Sequence, residues 1–153
     1  MAIAPNTTFV SGAILTAAQQ NAFGFGIVAF TQSTSSDTFT TAEKVMLTST
    51  SFTAIANRYY KVTYFEPKQL SSAGTSESEA RIRLTNISGA VQQTGYIGTG
   101  SVVQESQIVQ VITTFAAGST TVCATQTAAT GTTTLARSAT VKAFIMVEDI
   151  GPA

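Results

Sequence analysis

Residues 79–84, Glu79-Ala-Arg-Ile-Arg-Leu84, alternate strictly between charged and apolar side chains. Successive side chains of a β-strand point to opposite faces, so Ala80, Ile82 and Leu84 lie on one side and the charged residues on the other. This pattern is typical of an antiparallel strand with one face on a core and one in water. The segment therefore predicts a β protein.

The same strand-forming composition continues along most of the chain, which contains 27 Thr and 15 Ser. Thr, Val, Ile, Phe and Tyr suit a pleated, half-buried surface. They predict strands near 26–32, 44–54, 58–68, 78–87, 91–97, 102–115, 119–127, 132–137 and 139–148. Gly-containing turns at 88–90, 117–119 and 129–131 predict three tight hairpins. Regularly spaced short strands of this kind favour an all-β fold, an antiparallel β-sandwich or jelly roll.

One strand is apolar on both of its faces. In 141–147, Val141, Ala143, Ile145 and Val147 share one face, while Phe144 and Met146 join Lys142 on the other. A strand of this kind is either central in a two-layer stack or pressed against another subunit.

The first 25 residues differ from the rest. Residues 1–12 predict an extended arm, and Thr16 is a suitable N-cap for a short helix of Ala and Gln that ends near Gly24. We therefore expect two parts, an N-terminal arm with one short helix in 1–25 and a β-sandwich domain in 26–153.

The composition excludes several classes of function. Lys and Arg total 8, Asp and Glu total 8, and His is absent. Nucleic-acid binding needs clustered basic residues, and a zinc site needs His or several Cys. We therefore expect no nucleic-acid partner, no metal and no cofactor. The sequence also predicts no membrane span and no signal peptide. A hydrophobic fraction of 44% with no net charge favours a chain that hides surface in permanent contacts with copies of itself.

Candidate reactive groups are few. Glu148 and Asp149 are adjacent, so on a strand they point to opposite faces and suit a strand end better than a metal site. Glu77 and Glu79 lie on one face near two arginines and predict a solvated charge cluster. Cys123 predicts a small core residue, because nothing beside it in the sequence activates a thiol. Without His, no general base serves a Ser or Thr nucleophile, and we expect a protein that is not an enzyme.

Four aromatic residues lie close together in the sequence, at Tyr59, Tyr60, Tyr64 and Phe65. They could form a sugar-stacking platform, but their alternation favours core packing. Pro67, which follows this strand, suggests an edge position or a strand end.

Three segments resemble small virion structural proteins of tailed bacteriophages. Residues 9–21, FVSGAILTAAQQN, are similar to the opening F-x-x-G-x-x-L-T-A-A-Q-x-N, with Gln20 where Leu usually precedes the Asn. Residues 56–64, ANRYYKVTY, and the ending 147–153, VEDIGPA, complete the resemblance. It implies a non-enzymatic virion component built as a homotrimeric β-sandwich.

The resemblance leaves the position on the particle open. The hypotheses are a minor tail or tail-fibre-associated protein, which we favour, a capsid decoration protein, and a module that binds glycans on a host surface. In the first two, residues 1–25 anchor the protein to another virion protein. The expected assembly contacts are Phe9, Ile14, Leu15, Phe23, Phe144 and Met146.

Overall fold

The computed structural model describes residues 25–101 and 104–153. Within this part of the chain it has twelve β-strands and no helix. The strands are β1 Gly26–Ser33, β2 Asp37–Phe39, β3 Lys44–Thr48, β4 Phe52–Ala54, β5 Arg58–Ser71, β6 Thr75–Leu84, β7 Val91–Gly100, β8 Glu105–Thr113, β9 Gly118–Thr120, β10 Val122–Ala128, β11 Thr133–Leu135 and β12 Ala143–Pro152.

The strands form an antiparallel β-sandwich, as the sequence predicts. The first sheet has six strands in the order β1-β12-β5-β11-β2, with β8 also paired to β5. The second sheet has four strands in the order β3-β10-β6-β7, and β4 pairs with β9 in a short ribbon. Every second side chain of these strands points into the space between the two sheets. Those at most 1% exposed include Tyr60, Val62, Tyr64 and Ile145 of the first sheet and Ile82 of the second.

The two sheets approach closely where β7 faces β8. A Cβ atom placed on Gly95 would lie 2.8 Å from Val109 Cγ2, so a side chain at this position would clash. Gln107 of β8 donates a hydrogen bond to the Gly95 carbonyl oxygen at 3.0 Å. The absence of a side chain at Gly95 thus allows this close packing.

Pro67 does not end its strand. β5 continues through it to Ser71, and the register with β8 shifts between Glu66 and Gln69. Proline donates no backbone hydrogen bond, and a bulge is where a sheet tolerates it.

Other predictions about strand boundaries and strand pairing were wrong. The strand expected at 44–54 is divided into β3 and β4, which belong to different sheets. The turn at 88–90 does join the paired strands β6 and β7, but those at 117–119 and 129–131 form no hairpin. β8 pairs with β5, and residues 118–119 belong to β9, which pairs with β4. The turn at 129–131 joins β10 of the second sheet to β11 of the first. β12 also extends beyond the expected end, to Pro152.

The arm and short helix expected in 1–25 lie outside the described residues, except for Phe25. Among residues 25–101 and 104–153 the structure has no helix that could cross a membrane, and no group of three metal-ligating side chains.

Candidate assembly face

The outer face of the first sheet carries a continuous group of apolar side chains. The register places Phe144 of β12 opposite Phe65 of β5, and Phe65 opposite Ile108 of β8. In the next row Met146 lies opposite Phe30 of β1. We call these five residues, Phe30, Phe65, Ile108, Phe144 and Met146, the outer apolar band. It spans four neighbouring strands.

The aromatic rings of the band support one another. The ring centroids of Phe65 and Phe144 are 5.4 Å apart, and those of Phe30 and Phe144 are 6.0 Å apart. These distances are within the range of favourable aromatic pairs. Phe144 is thus held between two rings, while Phe30 and Ile108 at the sides remain 43% and 66% exposed.

Two pairs of polar groups lie beside the band. Gln110 Nε2 donates to Thr63 Oγ1 at 2.8 Å. Lys61 Nζ lies 2.5 Å from Glu148 Oε2 in the following row. Because the charges of Lys61 and Glu148 neutralise each other, this pair can enter an interface without leaving an unpaired ion.

The outer face of the second sheet has the opposite character. Arg83 binds Glu43 through two hydrogen bonds of 2.7 and 2.9 Å, and Arg81 binds Glu79 in the same way at 2.7 and 2.5 Å. Arg81 also lies 3.0 Å from Glu43, which joins the two pairs into one network. Partial burial opposes ionisation of Glu43, but hydrogen bonds from Arg83, Thr125 and Arg81 overcome it and lower its pKa to about 2. This face is suited to water.

Two further ion pairs lie inside the sandwich. Arg58 binds Asp149 through two hydrogen bonds of 2.6 and 2.7 Å. Arg137 binds Glu66 at 3.0 and 2.5 Å, and Tyr64 donates its hydroxyl to Glu66 at 2.9 Å. All five side chains are at most 7% exposed. Burial and the charge of Glu66 raise the pKa of Tyr64 well above its ordinary value. These groups are inaccessible to a substrate, and their role is structural.

The structure separates the candidate reactive residues. Glu148 lies on the outer face and Asp149 in the interior, as expected for neighbours on a strand. Glu79 belongs to the solvated charge cluster that the sequence predicts. Cys123 is fully buried, and this burial raises the pKa of its thiol. A protonated, inaccessible thiol is a poor nucleophile, which agrees with its prediction as a core residue.

The four neighbouring aromatics do not form one platform. The core packing expected for all four is confirmed for Tyr60 and Tyr64 but was wrong for Tyr59 and Phe65, which are half-buried on the outer face. The most exposed tyrosine ring of the described chain is Tyr96, at 62%, which the sequence analysis did not single out.

The structure brings two of the expected assembly residues together. Phe144 and Met146 both lie in the outer apolar band. Phe9, Ile14, Leu15 and Phe23 are outside the described residues. Sequence reasoning missed Phe30, Phe65 and Ile108, although the period-two pattern of each strand was available. The missing information was which strands become neighbours.

Comparison with known proteins gives structural likenesses only. No protein-family model matches the chain, and no curated protein matches it. Among solved structures, a pilus subunit of Bacillus endospore appendages is 12% identical with a TM-score of 0.38 over 94% of this chain and 98% of that one. A Clostridium stercorarium module, CsCBM6-3, solved with cellobiose is 14% identical with a TM-score of 0.36, over 76% and 92%.

A viral protein gives a similar result. The structure of infectious bursal disease virus, Gt strain, matches with 13% identity and a TM-score of 0.41 over 85% of this chain, which spans 42% of the viral chain. The matched proteins thus include structural subunits and a module solved with a sugar. At this level of likeness none of them assigns a function to this chain.

Proposed function

We propose that this protein is a non-enzymatic structural subunit of a bacteriophage virion, located in the tail or on a tail fibre. It forms a symmetric homo-oligomer, a trimer, in which the outer apolar band contacts a second copy. The observation that carries the proposal is the band itself, a face of three phenylalanines, one methionine and one isoleucine on a chain with no net charge.

The free energy of burying apolar surface favours contact between this band and another protein surface. Burial of apolar surface contributes about 25 cal/mol per Å², and the exposed parts of Phe30 and Ile108 gain nothing from the isolated fold. The neighbouring Ile112 and Ile27, 57% and 61% exposed, extend the apolar surface toward the edge of the sheet. Large contiguous apolar patches mark interaction sites on soluble proteins.

A second copy of the chain is the occupant that the chemistry favours. At the border of the band Lys61 and Glu148 bind each other, and Lys142, on the same face as Phe144, adds one exposed positive charge. A sheet face with this composition packs against another sheet face. A nucleic acid would need clustered basic groups at this surface, which one lysine does not provide.

The absence of reactive groups supports a role without catalysis. The chain has no His. In the described residues, Glu66 and Asp149 are buried and bound by arginines, and Cys123 is buried. A general base or nucleophile needs access to a substrate, which these groups lack.

The bacteriophage assignment rests on the resemblance of 9–21, 56–64 and 147–153 to virion proteins. A capsid decoration protein is the second candidate, because a β domain without a long fibrous stretch suits that role, whereas the opening motif 9–21 suits the tail. Within either assignment, residues 1–25 anchor the subunit to a neighbouring virion protein.

Quantitative mass spectrometry of purified particles tests the proposal. A few copies per particle, relative to the major capsid protein, are expected for a tail protein. A number comparable to the capsid protein would replace the tail assignment with decoration. Absence of the chain from particles would refute both, and light scattering of the purified protein tests the trimer independently.

A further inference from the structure

A second surface has features of a ligand site, on the opposite sheet from the outer apolar band. Tyr96 of β7 is 62% exposed and lies directly opposite Glu79 of β6. Its hydroxyl donates to Glu79 Oε1 at 3.2 Å. Glu79 is itself fixed by two hydrogen bonds from Arg81. The ring is thus anchored at its backbone end and at its hydroxyl end, and most of the side chain stays exposed.

The space beside this ring is open. Gly98 lies two residues further on β7 and therefore on the same face of the sheet. A Cβ atom placed on Gly98 would meet nothing within 4 Å. β7 is also the edge strand of the second sheet, so no further strand of residues 25–101 and 104–153 pairs with it on its free side. A flat ligand can therefore lie against the Tyr96 ring over Gly98.

Hydrogen-bonding groups surround the open space. Glu77 lies opposite Gly98, is exposed, and has no ion pair among those of the described residues. The hydrogen bond from Tyr96 to Glu79, the charge of Glu79 and, least of all, the charge of Glu77 raise the pKa of Tyr96. The carboxylates offer acceptors for hydroxyl groups.

We propose that Tyr96, Gly98, Glu77 and Glu79 form a binding site for one neutral hexopyranose ring of an oligosaccharide. The apolar C–H face of the sugar stacks on Tyr96, and its hydroxyls donate to the carboxylate oxygens. Anionic sugars are excluded, because Glu77 repels them and the guanidinium of Arg81 is already bound by Glu79. A shallow site of this kind binds weakly, with Kd of about 0.1–10 mM.

NMR titration of the full-length ¹⁵N-labelled protein tests the site. The probes are maltohexaose, cellohexaose and chitohexaose, with 3′-sialyllactose as the anionic comparison. We expect at least one neutral probe to give saturable shifts centred on the amides of Tyr96 and Gly98, and the sialylated probe to give none. No saturable shift with any neutral probe, or shifts centred elsewhere, would overturn the proposal.

Three variants separate stacking from structure. Tyr96→Ala should weaken binding at least tenfold, whereas Tyr96→Phe keeps the ring and most of the affinity. Gly98→Thr should also weaken it at least tenfold, and its Cβ enters open space, so the fold is retained. Tyr59→Ala, a tyrosine on the other sheet, is the matched control. Unchanged binding in Tyr96→Ala and Gly98→Thr would show that the sugar binds elsewhere.

Discussion

The rings of Phe65 and Phe144 lie 5.4 Å apart on neighbouring strands of the outer sheet face, although the two residues are 79 positions apart in the chain. Their pairing makes one surface out of two strands, and Phe30 and Ile108 extend it on either side. In the interior the same strands present Tyr64 and Ile145 to the core. The two faces of the sheet are therefore separable by mutation.

Phe144→Ser should dissociate the oligomer and leave the sandwich folded. It removes the central ring of the band, and central aromatic residues dominate interface energies, at about 2 kcal/mol or more. Light scattering measures the mass, and circular dichroism the fold. Ile87→Ser, which changes an exposed apolar residue in the β6–β7 turn, should leave the mass unchanged. Loss of assembly in both variants, or in neither, would contradict a role for the band.

Deletion of residues 2–22 should abolish incorporation into particles and leave the β domain folded. The described sandwich begins at β1, so the deletion removes none of its strands. Western blotting of purified particles from complemented phage measures incorporation, with thermal unfolding of the truncated protein as the control. A truncated subunit that enters particles at the normal level would show that the arm is not the anchor.

Gly95→Ala should lower the free energy of unfolding by about 1–3 kcal/mol, the usual cost of overpacking. The new methyl group would lie 2.8 Å from Val109 Cγ2. Urea denaturation measures the loss. Gly95→Ala should cost less in a Val109→Ala background than in the parent protein, because the clashing methyl group is then absent. Gly98→Ala is the control on the same strand, where the methyl group enters open space. Equal losses in both Gly variants would exclude the clash as the cause.

Glu43 should stabilise the fold above pH 4.5 and lose this effect as the pH falls. Its pKa is about 2 in the folded state against an ordinary 4.5, so the folded state favours the ionised form. The stabilisation is fully present above 4.5 and disappears between 4.5 and 2, and with solvent screening it amounts to about 1–2 kcal/mol. Urea unfolding of Glu43→Gln from pH 2 to 7 should show a flatter profile than the parent protein. Glu77→Gln, on the same sheet, is the control, and an unchanged slope in Glu43→Gln would refute this assignment.

Arg137→Met should lower the free energy of unfolding by about 3–5 kcal/mol, because it leaves the buried carboxylate of Glu66 without its partner. Replacing both residues, as Arg137→Met with Glu66→Leu, should cost less than the single change, since no unpaired charge remains. Chemical denaturation of the three proteins measures both effects. A double variant less stable than Arg137→Met alone would show that the unpaired carboxylate of Glu66 is not the cause of the loss.

The sequence alone determined the fold class, because alternation such as that of 79–84 depends only on the period of a strand. It also determined that Tyr60 and Tyr64 share one face of their strand and that Glu148 and Asp149 point to opposite faces. Residues adjacent on one strand have a fixed relation whatever the rest of the chain does.

Only the tertiary structure decided which strands are neighbours. Phe30, Phe65 and Ile108 join Phe144 and Met146 because β1, β12, β5 and β8 pair side by side. The segments 117–119 and 129–131 have the residues of hairpin turns, yet 118–119 belong to β9 of the short ribbon and 129–131 joins strands of the two sheets. Strand pairing depends on burial over the whole sandwich and not on the turn residues alone. The close approach of Gly95 to Val109 and the open space at Gly98 follow from the same long-range packing, which no local pattern encodes.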